Sequence, residues 1–444
     1  MSLQKNNQKG TIIFCVGVRG AGKTTTINQF KKNKDILILT PSTTRAKRDE
    51  NDDEYNFIDP ENWQPDEFAW EINIGETKYG MTKLELEKSK DYLFSISVFD
   101  PGSFQILKNF RENSDYELLT IGFDTIDSID KQKKRVENHS ARIMSKKEFL
   151  SQREIVTNCD VVVRGDQDQI YNAICAVFAC LSSRGGIIQQ STINSFLGAD
   201  VLLQNATSDT SPASYDLRLG DDVWCQGEFS TLSEKKHVLK IPPYSYAIVS
   251  ALELANLPCF IAARFDLKNS LFFRGVILSN GPQIDPGYRG ALFCMLYNGS
   301  DQPVGISRGT HFATIEFITT SGIGVGYRDK YQGKTALRDF MPDDAAVSEG
   351  GKILERTEKK IEKISDEWKS FRAIVFTILA IAMTVIISPS LVVYFNMWGK
   401  VEDARKEYVT QTLVLKDLEV RLKELEIELK ESKKNSPANE RAKH

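Results

Sequence analysis

A glycine-rich run, Gly17-Val18-Arg19-Gly20-Ala21-Gly22-Lys23-Thr24, sets the tightest limit on what this chain can fold into. The pattern Gly-x-x-x-x-Gly-Lys-Thr is a phosphate-binding loop. Its glycines let backbone amides close on phosphate oxygens, Lys23 neutralises the β and γ oxygens, and Thr24 can hold Mg2+. Such a loop needs a buried strand before it and a helix after it. Thr11 to Val16 reads as that strand, and the residues after Gly22 read as a helix to about Lys32. The expected ATP-binding set is Gly17, Gly20, Gly22, Lys23, Thr24 and Thr25, with Thr24 as metal ligand and Mg2+ and ATP as cofactors.

Further short apolar runs, Ile36 to Leu39, Leu93 to Val98, Glu117 to Ile121 and Asp160 to Val163, alternate with helical patterns. Alternation of that kind predicts an α/β parallel sheet over 10–183. Gly185-Gly186 marks a boundary. From 187 to 335 the pattern changes to β-rich runs, such as Tyr246–Ser250, Phe260–Arg264, Ala291–Leu296 and Phe312–Phe317, separated by Gly, Pro, Asn and Asp. This predicts a second, all-β domain. At 444 residues the chain accommodates both cores. A formal charge of -3 argues against a nucleic-acid partner, and the scattered cysteines and four histidines argue against a zinc site.

The sequel to the phosphate loop resembles guanylate kinases. Ser42-Thr43-Thr44-Arg45-Ala46-Lys47-Arg48, Glu54-Tyr55-Asn56-Phe57 and Lys78-Tyr79-Gly80-Met81-Thr82 match that family's acceptor-binding segments. The resemblance implies that Ser42, Arg45, Arg48, Tyr55 and Tyr79 bind a nucleoside monophosphate, a role the planar guanidinium suits. It also implies a lid containing Lys131, Lys134, Arg135 and Arg142, with Arg135 catalytic beside Lys23. One departure stands out. Where the family carries an acidic Asp-x-Asp pair, this chain has Ser95-Ile96-Ser97, with Asp100 further on.

The second domain resembles dCTP deaminases, which share a trimeric β-fold with dUTPases. The matching segments are Ser214-Tyr215-Asp216-Leu217-Arg218-Leu219-Gly220, Lys268-Asn269-Ser270-Leu271, Gln283-Ile284-Asp285-Pro286-Gly287-Tyr288-Arg289-Gly290 and Tyr327-Arg328-Asp329-Lys330-Tyr331-Gln332-Gly333-Lys334. The resemblance implies a deoxynucleoside-triphosphate site built from Lys268, Ser270, Asp285, Tyr288, Lys330 and Gln332, formed between subunits, with Asp285 positioning a water. Deaminases of the family place a glutamate seven residues after the position of Tyr288; here that residue is Met295. A thioether cannot shuttle protons, so deamination is expected to be lost.

A charged helix is expected over 352–372. No charged residue occurs from Ala373 to Gly399, enough to cross about 30 Å of hydrocarbon, so 373–397 reads as a transmembrane helix. The basic residues before it orient the nucleotide domains to the cytosol. Val401, Tyr408, Leu415, Leu422 and Leu429 fall seven apart and predict a coiled coil over 400–433, with a single amphipathic helix as the alternative. The expected whole is a multidomain, membrane-anchored homotrimer that binds nucleoside monophosphates and deoxynucleoside triphosphates. Nucleotide sensing, for instance in phage defence, is the leading expectation. The rival is a bifunctional enzyme combining a monophosphate kinase with a dUTP/dCTP pyrophosphatase.

Overall fold

The computed structural model describes residues 10–47, 50, 52–136, 143–183, 185–208, 210–233, 237–279, 283–342, 350–385 and 389–434. The apolar run Thr11–Val16 is buried along its whole length and forms the middle of a five-stranded parallel sheet. The strand order is Ile36–Ile38, Phe94–Phe99, Thr11–Val16, Glu117–Phe123, Val161–Val163. Parallel pairing buries both faces, which is why these strands read as continuous hydrophobic runs. The helix Gln167–Ser182 lies against this sheet. Asp166 and Gln169 form a capping box at its start, and Ile170, Ala173, Ile174, Val177 and Leu181 make its buried stripe. A small four-stranded sheet, Asn56–Phe57, Ser42–Thr43, Thr77–Thr82 and Phe68–Ile74, carries the segments expected to bind an acceptor.

The second region is an antiparallel sheet. Its main path runs Val276–Ser279, Arg289–Asn298, Ser245–Asn256, Ser214–Cys225, His311–Thr319, Ile261–Leu267, Gln283–Ile284. Inward residues alternate with outward ones along Arg289–Asn298 and His311–Thr319, as half-buried strands require. The expected parallel sheet followed by an antiparallel β-domain is therefore present.

The two regions are welded. One continuous hydrophobic cluster contains Ile13, Leu119 and Val163 of the parallel sheet together with Leu203, Val249 and Phe317 of the β-domain. Polar bonds lock the seam. Asn256 Nδ2 donates to Val162 O (3.1 Å) and Asp200 O (2.7 Å), and Arg164 N donates to Ala199 O (2.8 Å). Residues 1–353 accordingly form one compact unit, and 354–444 a second.

The second unit corrects the membrane expectation. The uncharged stretch 373–399 is divided between two helices, Gly350–Val385 and Pro389–Lys434. The first holds only 373–385 of it, about 20 Å of rise, short of the hydrocarbon thickness. Pro389 opens the next helix, where a missing N–H costs no intrahelical bond. Among the described residues no helix is long and apolar enough to cross a membrane. The single-pass assignment fails on this finding, and with it the orientation drawn from flanking charge. The charged segment 352–372 lies within the first helix, and the heptad segment 400–433 within the second, where Tyr408, Leu413 and Leu415 are exposed. These show helix, not strand pairing.

Candidate nucleotide sites

Gly20 and Gly22 of the phosphate loop have φ of +87° and +91°, a left-handed backbone that side chains resist. The turn is closed by Ala21 N donating to Val18 O (3.1 Å). A Cβ on Gly17 would meet Phe123 Cβ at 3.0 Å, so the loop sits directly over the end of the strand Glu117–Phe123. Lys23 Nζ donates to Gly17 O and, at 3.3 Å, to Val18 O. These are bonds a triphosphate would replace. Thr24 is half-buried and Thr25 exposed on the first turn of the helix.

Arg135, on the helix Ile129–Arg135, reaches Gly20 O at 3.5 Å and Thr125 Oγ1 at 3.4 Å. Thr125 Oγ1 itself donates to Ala21 O at 2.9 Å. The structure thus brings Arg135 to the loop. Lys131 pairs with Asp127 (2.6 Å) on the exposed side, and Arg142 lies outside the described residues.

The acceptor segments converge less simply. Arg45 donates to the buried Asp52 carboxylate at 2.9 Å and lies over the rings of Tyr55 (5.5 Å) and Phe57 (5.2 Å). Tyr55 and Tyr79 meet edge to face at 5.6 Å, and Ser42 is buried beside Gly80. Arg45 and Tyr79 therefore both contact Tyr55, with Ser42 buried in the neighbouring strand, but Arg45 already has an anionic partner. Arg48 lies outside the described residues. Of the two serines replacing the acidic pair, Ser97 donates to Leu39 O (2.9 Å), while the Ser95 hydroxyl is buried with no hydrogen-bond partner among the described residues.

Asp124, which sequence reasoning missed, is fully buried beneath the loop. It accepts from Arg153 Nε (2.7 Å) and Arg164 Nε (2.9 Å). Both its oxygens being engaged, it is no free metal ligand. Among the described residues no cluster of three or more His, Cys, Asp or Glu could hold a metal. The donors fit Mg2+ carried in by phosphate oxygens, with Thr24 as the one protein ligand named, a binding mode common for this ion.

In the β-domain the expected residues fall into separate groups. Lys268 Nζ donates to Asp216 Oδ2 (2.6 Å), and Thr314 Oγ1 donates to Asp216 Oδ1 (2.8 Å). Ser270 is exposed on the short helix Asn269–Phe272. The loop 285–290 is gripped by the C-terminal segment. Gln332 Oε1 accepts from Arg289 N (2.9 Å), and Gln332 Nε2 donates to Gly287 O (2.9 Å). Gly287, at φ +78°, faces Gly326, and a Cβ there would meet Gly326 Cα at 2.6 Å.

Tyr288 stacks edge to face on Tyr327 (5.4 Å) and donates to Ala291 O (2.9 Å), and burial pushes its phenol well above the usual range. Asp285 is exposed at the mouth of the loop, and Lys330 lies over the Tyr331 ring at 4.7 Å. Among the described residues no hydrogen bond joins the Lys268 group to the Asp285 group. Gln332 is thus a loop clamp as well as a candidate ligand, and Lys268 is internally paired.

The Tyr215–Arg218 motif proves structural. Glu253, wholly buried, accepts from Tyr215 Oη (2.9 Å), Arg218 N (3.0 Å) and Arg218 Nε (2.6 Å). Met295 stands half-buried in the middle of its strand, opposite Ile248 and Ser279.

Arg289 was also missed. Its guanidinium donates to Thr157 O and Cys159 O across the seam, and burial pulls its pKa below the ordinary value. Nothing in the sequence separates it from a solvated arginine.

Comparison with known proteins bears on this second region. The family described as dCTP deaminase-like matches residues 187–320. A dCTP deaminase from Pyrococcus furiosus is 36% identical over 140 residues, 31% of this chain and 88% of that protein. A dUMP-forming dCTP deaminase from Sulfurihydrogenibium is 27% identical over 179 residues, 36% of this chain and 99% of that protein.

Among solved structures, a deaminase from Agrobacterium tumefaciens aligns with TM-score 0.28 and 21% identity; the match covers 30% of this chain and about half (49%) of that one. A guanylate kinase from Anaplasma phagocytophilum aligns with TM-score 0.30 and 19% identity, covering 39% of this chain and 86% of that one. Through its β-domain, the chain belongs to the dCTP deaminase-like family.

Proposed function

We propose that the β-domain binds a deoxynucleoside triphosphate without deaminating it, and that the phosphate-loop region binds ATP with Mg2+ and a nucleoside monophosphate. The observation that carries this is Met295. It occupies the strand position where the resemblance calls for a proton-shuttling glutamate, while Asp285, Tyr288 and Gln332 retain the loop. Lys268, Ser270 and Lys330 would complete the deoxynucleotide site once subunits assemble. A homotrimer, assembled through the β-domain and paired helices over 400–433, is part of this proposal.

At the other site, Gly17, Gly20, Gly22, Lys23, Thr24 and Thr25 would hold the triphosphate. Ser42, Arg45, Tyr55 and Tyr79 would hold the acceptor, and Lys23 and Arg135 would neutralise charge on the transferring phosphoryl group. Mg2+, when bound, would neutralise phosphate charge. Binding at two nucleotide sites in one body suits a sensor of nucleotide pools. The exposed Asp285 carboxylate favours triphosphate hydrolysis as a second reading.

The phosphate-loop half is tested by calorimetric titration of the full chain, and of its Lys23→Ala variant, with ATP and Mg2+. ATP binding lost in Lys23→Ala is the expected result. ATP binding unchanged in that variant would remove the phosphate loop from the account.

A further inference from the structure

The two candidate sites touch opposite ends of one helix. Lys146–Thr157 is 12 residues long, about 18 Å of rise. Near its start, Glu148 pairs with Arg19 of the phosphate loop at 3.8 Å. Midway, Arg153 holds Asp124 and donates to Asp127 O (3.0 Å), at the end of the strand that supports the loop. At its far end, the carbonyls of Thr157 and Cys159 accept from the guanidinium of Arg289, which belongs to the loop carrying Asp285 and Tyr288. Cys259 N adds a second tie, donating to Asp160 O at 3.3 Å.

A half-buried, solvent-screened ion pair such as Arg19–Glu148 is weak alone. Packing is what stiffens the path. Phe149 and Val156 are buried, and Val156 O lies 2.1 Å from where a Cβ on Gly122 would stand, so helix and strand are in direct contact. Lys23 bonds to Gly17 O and Val18 O, and a triphosphate on the loop would draw it from them.

We infer that the helix Lys146–Thr157 is a strut coupling the sites, so that nucleotide on the phosphate loop alters the affinity of the β-domain for a deoxynucleoside triphosphate through Arg289. The inference rests on the proposed function, because it needs both sites to bind. Linkage makes the effect reciprocal: the same factor applies in either direction. Arg289 is a positioning residue here, acting on Asp285 and Tyr288 through the backbone of their loop.

The test is calorimetric titration of the full chain with dCTP, with and without saturating Mg2+ and an ATP analogue carrying a β,γ-imido bridge. A change in dCTP affinity of at least about 3-fold is expected, and a smaller change overturns the inference. Arg289→Lys should abolish the change. Should that variant not fold, Glu148→Gln, at a half-buried position, is used instead. Wild-type coupling in either folded variant overturns the strut. Hydrogen exchange supplies a readout that a merely structural Arg289 would not move: dCTP alone should alter protection of amides 146–157. Two ligands that bind independently sink the strut and leave the proposed function standing, whereas no binding of either nucleotide removes both.

Discussion

Glu253 is sealed in the β-domain, and three groups from Tyr215 and Arg218 satisfy it. Removing one partner of such a pair strands the other charge. Glu253→Ala should therefore lower stability by about 3 kcal/mol, measured by urea unfolding. Tyr215→Phe should cost about 1–3 kcal/mol, since the hydroxyl's bonds to Glu253 and to Thr207 go together. Asp200 behaves in the opposite sense. Burial raises its carboxyl pKa despite Arg164, so ionisation near neutral pH works against folding. A carboxyl with a raised folded pKa contributes stability below its unfolded pKa and loses it as pH rises through the folded value. Asp200→Asn should therefore stabilise the chain at pH 7, with the gain vanishing below the usual carboxylate range. Asn also tolerates the φ of 55° at this position. A variant equally stabilised at low and neutral pH would contradict this.

At the scale of elements, Gly122 allows helix and strand to touch. Its substitution by alanine drives a methyl into Val156 O, a backbone atom that cannot swing aside. Gly122→Ala should cost about 1–3 kcal/mol in the same assay. The parallel strands were legible in the sequence because each is a short, mostly apolar run, and the phosphate loop because its glycines have one purpose. The acceptor sheet was not, since Ser42–Thr43 and Asn56–Phe57 are two-residue strands with no period to read. Side-chain ion pairs were hidden too: Arg45, paired with Asp52, and Lys268, paired with Asp216, look in sequence like cations available to phosphate. The membrane assignment failed because the count of uncharged residues ran on from one helix, which ends at Val385, into another, which begins at Pro389.

At the scale of the whole molecule, the continuous core from Ile13 to Phe317 makes residues 1–353 one body rather than two domains on a linker. Calorimetric melting of the full chain should give one transition for the parallel sheet and β-domain together. Two well-separated transitions, with hydrogen exchange assigning them to 10–183 and 187–335, would contradict it. A shared body is also what makes a strut between sites mechanically sensible, because a loose linker would absorb any displacement.

The β-domain is proposed to hold a deoxynucleoside triphosphate and to leave its base intact. Incubating the full chain with dCTP, while measuring both retained nucleotide and released ammonia, tests this most directly. Saturable dCTP binding, weakened in Asp285→Asn and accompanied by no ammonia, is the predicted result. Ammonia release with dUTP or dUMP as product, abolished in Asp285→Asn, would show that Met295 does not disable the site and would contradict the account.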